Sequence, residues 1–392
     1  DLELAGKVIA GQLNYDTKKG IFNSNFDLTA FSGQAKLDLF GDVLASGDLA
    51  IRSTISGDLD LHEVMVWQNL PSLLTEAVQG HVAFNADFSI DANQSGVMRI
   101  EAKTDLLGAS VALPKPFSKT SNTKKALALV VDLSPKNVDV TIQYDKKYRS
   151  KLRFSDAGFY GGHALLDEPE SVPFVVSEGL SLQGQLAHVE LAAWRKLFNT
   201  PDEPGALQSL RLFVPEWLSY ANFIADQVRL NEDNLLHNAK LEYDRRKASS
   251  DLYLTAEEMG VKLSKDLHGP VVNFSYLSWH SEESAIESEG DAGEREDMPI
   301  QAASSGIIRA EQIPSMTLNI QELIINDKPY GDWNLLLTSL GKRLRIDPMS
   351  TELEKGEFTG SVFWQDDEHS NVELTLAIAG ENIDELTRKF SP

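Results

Sequence analysis

The sequence predicts a mainly β protein, and three observations carry that prediction. A two-residue alternation of apolar and polar side chains recurs from end to end of the 392 residues. Helical periodicity is scarce. Gly, Asn, Asp and Pro punctuate the short apolar runs, as they do in chains of strands and turns. Side chains on an extended strand point alternately to opposite faces, so each alternating run is a strand with one apolar face and one wetted face.

Taken in order, strands are expected at Val8–Tyr15, Phe26–Phe31 and Gln34–Phe40. Between Leu49 and Leu61, Leu49, Ile51, Ile55 and Leu59 alternate with Arg52, Thr54, Ser56 and Asp58. An amphipathic helical stretch follows at Glu63–Gln79, built around Trp67, Leu70, Leu73 and Leu74 and interrupted by Pro71. The next run places Val82, Phe84, Ala86, Phe88 and Ile90 against His81, Asn85, Asp87 and Ser89. Further strands are read at Val97–Thr104, Val138–Tyr144, Lys151–Phe154, Leu210–Val214, Ala239–Tyr243, Asp251–Thr255 and Val271–Trp279. The last are Met316–Ile325, Trp333–Thr338, Glu357–Trp364 and the run Val372, Leu374, Leu376, Ile378. Gly161–Gly162 in GFYGGHALL reads as a hairpin turn.

Two short helical stripes, LAAWRKLF with Leu191, Trp194 and Phe198 and IDELTRKF with Ile383, Leu386 and Phe390, each follow a strand. A second echo recurs at a spacing of roughly 110 residues: SLRLFVPEW near Ser209 against SMTLNIQEL near Ser315, and YANF at Tyr220 against YGDW at Tyr330. Descent and shared β grammar both produce such an echo. Ser281–Pro299 carries eight acids and one base, which reads as a solvated, mobile loop. The organisation is therefore a β segment over 1–200 with a closing short helix and a β repeat over 201–280. An acidic loop over 281–300 and a second β repeat over 301–392, again with a closing helix, complete it.

Bulk chemistry excludes several functions. A net charge of −23 argues against nucleic acid and against the whole molecule lying on an anionic membrane. No cysteine is present, which removes disulfides, thiolate metal sites and cysteine nucleophiles. No run of about eighteen apolar residues could span a bilayer. No nucleophile elbow, zinc-helix motif, P-loop or dinucleotide fingerprint occurs. The eight histidines are scattered, with none at metal-ligand spacing, so neither an enzyme nor a metal or cofactor is expected. Trp194, Trp333 and Trp364 fall on packing stripes. Between Lys115 and Arg153 ten basic residues face three acids, which reads either as a solvated sheet face or as a place where acidic head groups meet the protein.

A half-apolar sheet must cover its apolar face with a second sheet, a helix layer or a ligand. Helices are too few here, which leaves a sandwich or barrel array, a solenoid, or a long curved sheet open to a ligand. Periodicity alone does not choose. DLLGASVALPKPFSK (Asp105–Lys119), preceded by GHVAFNADFSI, resembles a signature of the YhdP group of AsmA-like envelope proteins. LQGQLAHVELAAWRKLF, IPSMTLNIQELIIND, YGDWNLLL, RLRID and FTGSVFW resemble that group as well.

The resemblance implies an elongated, curved, largely antiparallel sheet forming an apolar groove, with a few short amphipathic helices. It further implies a periplasmic, non-catalytic lipid conduit between inner and outer membrane, tethered to the inner membrane by a segment outside this chain. Phospholipid acyl chains would be the ligand, with outer-membrane or periplasmic proteins as candidate end partners. The groove residues expected on that basis are Val82, Phe84, Phe88, Ile90, Leu318, Ile320, Leu335, Leu337, Leu374, Leu376 and Ile378. The alternative from the binding class is an envelope β-sandwich array for glycan or protein, with closed and dry cores.

Overall fold

The computed structural model describes residues 6–44, 49–67, 72–91, 97–191, 193–194, 217–230, 234–245, 251–266, 269–279, 310, 313–353, 356–366 and 371–380. Strand accounts for 70% and helix for 5% of the described residues, and no helical layer covers the strands among them. In each of two units the described strands form an open, largely antiparallel sheet, the mainly β fold that the sequence predicts.

The chain divides into two compact units, one comprising Asp1–Thr200 with Glu216–Arg246 and the other Pro201–Pro215 with Lys247–Pro392. In the first unit the strands are β1 (Gly6–Gln12), β2 (Tyr15–Asp16), β3 (Gly20–Ala30), β4 (Gly33–Val43) and β5 (Leu49–Asp60). Helices α1 (Leu61–Trp67) and α2 (Ser72–Ala77) follow, then β6 (Val78–Gln79), β7 (His81–Asp91), β8 (Val97–Thr104) and β9 (Ser110–Val111). The unit continues with β10 (Leu127–Leu133), β11 (Val138–Tyr144), β12 (Tyr148–Ser155), β13 (Gly158–Leu166), β14 (Gly179–Glu190), β15 (Leu218–Arg229) and β16 (Leu235–Asp244). The second unit holds β17 (Leu252–Thr255), β18 (Met259–Asp266), β19 (Gly269–Trp279), β20 (Met316–Ile320) and β21 (Leu323–Ile325). It ends with β22 (Lys328–Pro329), β23 (Trp333–Ser339), β24 (Arg343–Leu353), β25 (Gly356–Gln365) and β26 (Asn371–Gly380).

Most neighbours in sequence are antiparallel neighbours in space, because tight turns join them. From β3 the ladder runs through β4, β5, β7, β8 and β10 to β13. Two steps are parallel in the first unit, β13 to β14 and β14 to β15. One recurs in the second, where β19 takes β20 and then β21 as parallel partners. Parallel pairing demands a long crossover. Residues 167–178 supply the first, as a strap laid over one face of the sheet.

The strand run expected at Met316–Ile325 is split at Gln321 and Glu322, whose backbone atoms bond instead to Phe274 and Leu277 of β19. The Gly161–Gly162 pair is a correction: both lie inside β13, and the turn falls before Gly158. Their lack of a side chain serves the strap and the neighbouring strand. A Cβ at Gly161 would lie 1.8 Å from the Ser177 carbonyl oxygen, and one at Gly162 would lie 2.6 Å from Leu152. The expected strand at Leu210–Val214, the acidic loop at Ser281–Pro299 and the closing IDELTRKF helix lie outside the described residues, as does SLRLFVPEW up to Glu216.

Candidate functional site: an apolar face crossed by rows

The register turns the alternation into continuous rows. In the first unit one row crosses Leu37, Ile55, Ala86, Ala102, Leu129 and Ile142, each directly opposite the next. A second crosses Phe88, Ile100, Val131, Val140 and Leu152. A third crosses Ile51, Ile90, Met98, Leu133, Val138 and Phe154. Cross-strand pairs of this kind hold a sheet together, yet the rows are only half-buried, because nothing else among the described residues lies on most of them.

The second unit repeats the arrangement. Val272, Leu318, Leu335 and Met349 form one row, and Phe274, Ile320 and Trp333 another. Met316, Leu337, Ile346, Val362 and Leu374 form a third. On the edge strand β26, Leu374 is 57% and Leu376 43% exposed.

The opposite face is polar and internally neutralised. Arg99, Asp132, Asp139 and Arg153 stand in one cross-strand row, in the charge order plus, minus, minus, plus. The two aspartates face each other, which would repel, and each is relieved from its outer side. Arg99 reaches Asp132 at 3.0 Å, while Arg153 grips Asp139 with two bonds of 2.7 and 2.8 Å. The Arg153 guanidinium holds the Asp139 carboxyl below its ordinary range. Thr54 donates to Asp87 on this face, and in the second unit Asn319 donates to Asn273.

The Asp105–Lys119 signature builds a wall along one margin of the apolar face. Gly108 turns with a φ of +96°, and a Cβ there would lie 2.2 Å from the His81 carbonyl oxygen, so only glycine fits this approach. The turn delivers Leu106 and Ala109 onto Val82, with Leu59, Leu127 and Tyr144 packed around them. A small ribbon, β6 with β9, ties the wall to α2, and an Ala112 N–H bond to Ala77 reinforces it. Phe117 then inserts its ring against Tyr148 at 5.0 Å, Trp194 at 5.9 Å and Tyr144 at 6.4 Å. It also borders the core of Leu166, Leu186 and Ala225. The Tyr144 hydroxyl donates to the Phe117 carbonyl, and burial pushes the Tyr144 pKa up to about 12. Lys119 is buried, donates to the carbonyls of Ala109 and Thr120, and is pushed down in pKa by that burial.

The expected groove residues fall on these faces unit by unit. Val82, Phe84, Phe88 and Ile90 share one face of β7, while Leu318, Ile320, Leu335, Leu337, Leu374, Leu376 and Ile378 share one face of the second unit. Their accessibility differs. Val82 is 2% exposed beneath the wall. Ile320 and Leu337 are also buried, the latter against Ala310 and Leu344. Phe84, Phe88, Ile90, Leu318, Leu335 and Ile378 remain half-buried.

Several residues of the face escaped the sequence reading, notably Leu129, Val131 and Leu133 on β10. The apolar Ala128 and Val130 between them erase the alternation there. Half of the basic cluster is paired with acids: Arg153 and Lys151 with Asp139, Lys124 with Asp105, Lys125 with Asp145, and Lys147 with Asp167. No helix among the described residues is long and apolar enough to cross a membrane.

No curated protein and no solved structure matches the chain. The family model described as YhdP protein matches residues 3–391. Nearly the whole sequence, the Gly108 turn and Phe117 wall included, lies inside that match, and the chain belongs to the YhdP family.

Proposed function

We propose that the apolar faces hold the acyl chains of phospholipids and that the protein conducts lipid without catalysing a reaction. The observation that supports this best is the set of apolar rows crossing strand after strand with no layer laid over most of them among the described residues. An apolar face of this extent left to water is costly, and it marks a surface with a partner. A flexible hydrocarbon chain fits rows that offer many similar contacts and no polar anchor. Each methylene removed from water contributes about 0.8 kcal/mol, and a chain moving from one strand to the next exchanges like for like.

The polar face, with its paired arginines and aspartates, keeps the other side in water and fixes which side the lipid takes. Membership in the YhdP family favours a place in the cell envelope. On this reading the molecule works in the periplasm, held to the inner membrane by a segment outside this chain. It would deliver lipid towards the outer membrane, where other envelope proteins would meet it.

Lipid content tests the proposal. Protein extracted without harsh detergent should carry phospholipid, identified by mass spectrometry of the denatured sample. Ile100→Glu, in the middle of a row, should lower the lipid-to-protein ratio several-fold, whereas Glu101→Gln on the polar face should leave it unchanged. Absence of lipid, or equal loss in both variants, contradicts the proposal.

A further inference from the structure

We infer that the strap at 167–178 is an acid-released device on the polar face, with His163 as its latch. This rests on observations separate from the apolar rows and stands without the lipid reading. Beyond the Lys147–Asp167 pair at its first residue, three fasteners hold the strap. His163, 5% exposed on β13, accepts the Val175 backbone N–H at its Nδ1 across 3.0 Å. The Phe174 ring stands edge-on to the imidazole, with centroids 6.2 Å apart. Arg149 on β12 donates to the carbonyls of Pro169, Glu170 and Val172, and its guanidinium lies 5.4 Å from the Phe174 centroid. Gly161 leaves the room that the Ser177 carbonyl occupies. Leu165, on the same face, is wholly buried.

Of these fasteners only the His163 bond titrates at mild pH. A ring nitrogen that accepts an N–H must be unprotonated. Adding a proton turns it into a donor facing a donor and places a second positive charge near Arg149. Lys151 and Ser181 stand opposite His163 on the flanking strands, with Asp139 beyond Lys151, and the strap itself carries the acids Asp167, Glu168, Glu170 and Glu178.

Burial, and after it the Arg149 charge, lowers the His163 pKa below its ordinary value of 6.5. The sign follows. In the closed state the ring resists protonation, and in a lifted, solvated strap it takes a proton at its ordinary value. Closure is therefore complete above about pH 6.5 and weakens by up to about tenfold per pH unit below it, until the closed-state ring also protonates. Lifting the strap uncovers Leu165 and loosens the joint between the parallel strands β13 and β14.

Hydrogen exchange of the 167–178 backbone, measured on the whole chain and corrected for intrinsic rates, tests this between about pH 7.5 and pH 4.5. The wild-type strap should lose protection progressively below about pH 6.5, by up to about tenfold per pH unit, while β3 and β4 do not change. His163→Asn places an acceptor oxygen where Nδ1 stands and cannot take the proton, so its strap should stay protected at every pH. Gly161→Val, which collides with Ser177, should leave the strap unprotected throughout and supplies the signature of the open state. Protection that does not vary with pH in the wild type, or that varies identically in His163→Asn, overturns the inference. A directly measured His163 pKa at or above 6.5 does so as well.

Discussion

Replacing Phe117 with alanine should detach the wall while leaving the sheet intact. Complete removal of a fully buried phenylalanine costs about 3–5 kcal/mol. Phe117 is half-buried, so about half of that applies, and its ring contacts with Tyr144, Tyr148 and Trp194 add a fraction of the roughly 0.5–1.5 kcal/mol assigned to aromatic pairs. A local loss of about 2–3 kcal/mol follows. At about 1.4 kcal/mol per factor of ten, this becomes a roughly 30- to 140-fold faster opening of the wall. Hydrogen exchange reports it at the amides of Gly108, Val111 and Lys119, which bond within the wall to Ser121, Lys119 and Val111. Exchange in β3 to β5 should not move, because stability in such a sheet is local. Leu107→Ala, at an exposed position of the same segment, is the control. If the two variants accelerate exchange equally, Phe117 is a surface residue in solution and the wall is not held as described.

Other consequences can be checked with little more effort. Asp139→Asn removes the charge that two Arg153 bonds and Lys151 converge on, and should destabilise β11 and β12 by about 1.5–3 kcal/mol, measured by local hydrogen exchange. In the wild type the same carboxylate contributes stability above its ordinary pKa near 3.8, which is lost as pH falls through its lowered folded value. Tyr144 has the opposite sign. Its folded pKa is raised, so its contribution is complete below pH 10 and is lost as pH rises towards 12. Tyrosinate absorbance should therefore rise together with exchange in the wall, and a Tyr144→Phe variant should exchange faster already at neutral pH, through loss of the bond to Phe117, and lack the alkaline rise that ionisation of Tyr144 causes.

The strands with strict alternation were legible in the sequence almost residue for residue, Val97–Thr104 and Val138–Tyr144 with their full bounds. Leu127–Leu133 was not, because apolar side chains occupy both of its faces. The glycine pair at 161 and 162 was mistaken for a turn, since a sequence does not reveal that another segment will be laid across a strand. The parallel steps were hidden for the same reason, because pairing direction is decided by a crossover and not by the strand. Register was the main loss: a single bulge, such as the shift between Arg153 and Phe154, resets every cross-strand neighbour. Without register the charge row of Arg99, Asp132, Asp139 and Arg153 is four scattered residues. For the apolar face, alternation identified which side of β7 is greasy and could not tell that Val82 is roofed by Leu106 and Ala109 while Phe88 is not.

The central claim is that lipid takes one face of the sheet and avoids the other, and photo-crosslinking from adjacent positions tests it most directly. A crosslinking residue at Phe88 or Leu376 should capture phospholipid in cells, while one at Asp87 or Glu373, a single residue away and on the opposite face, should not. Capture at Phe88 and Leu376 alone is the result this account predicts. Equal capture from both faces, or none from either, would contradict it.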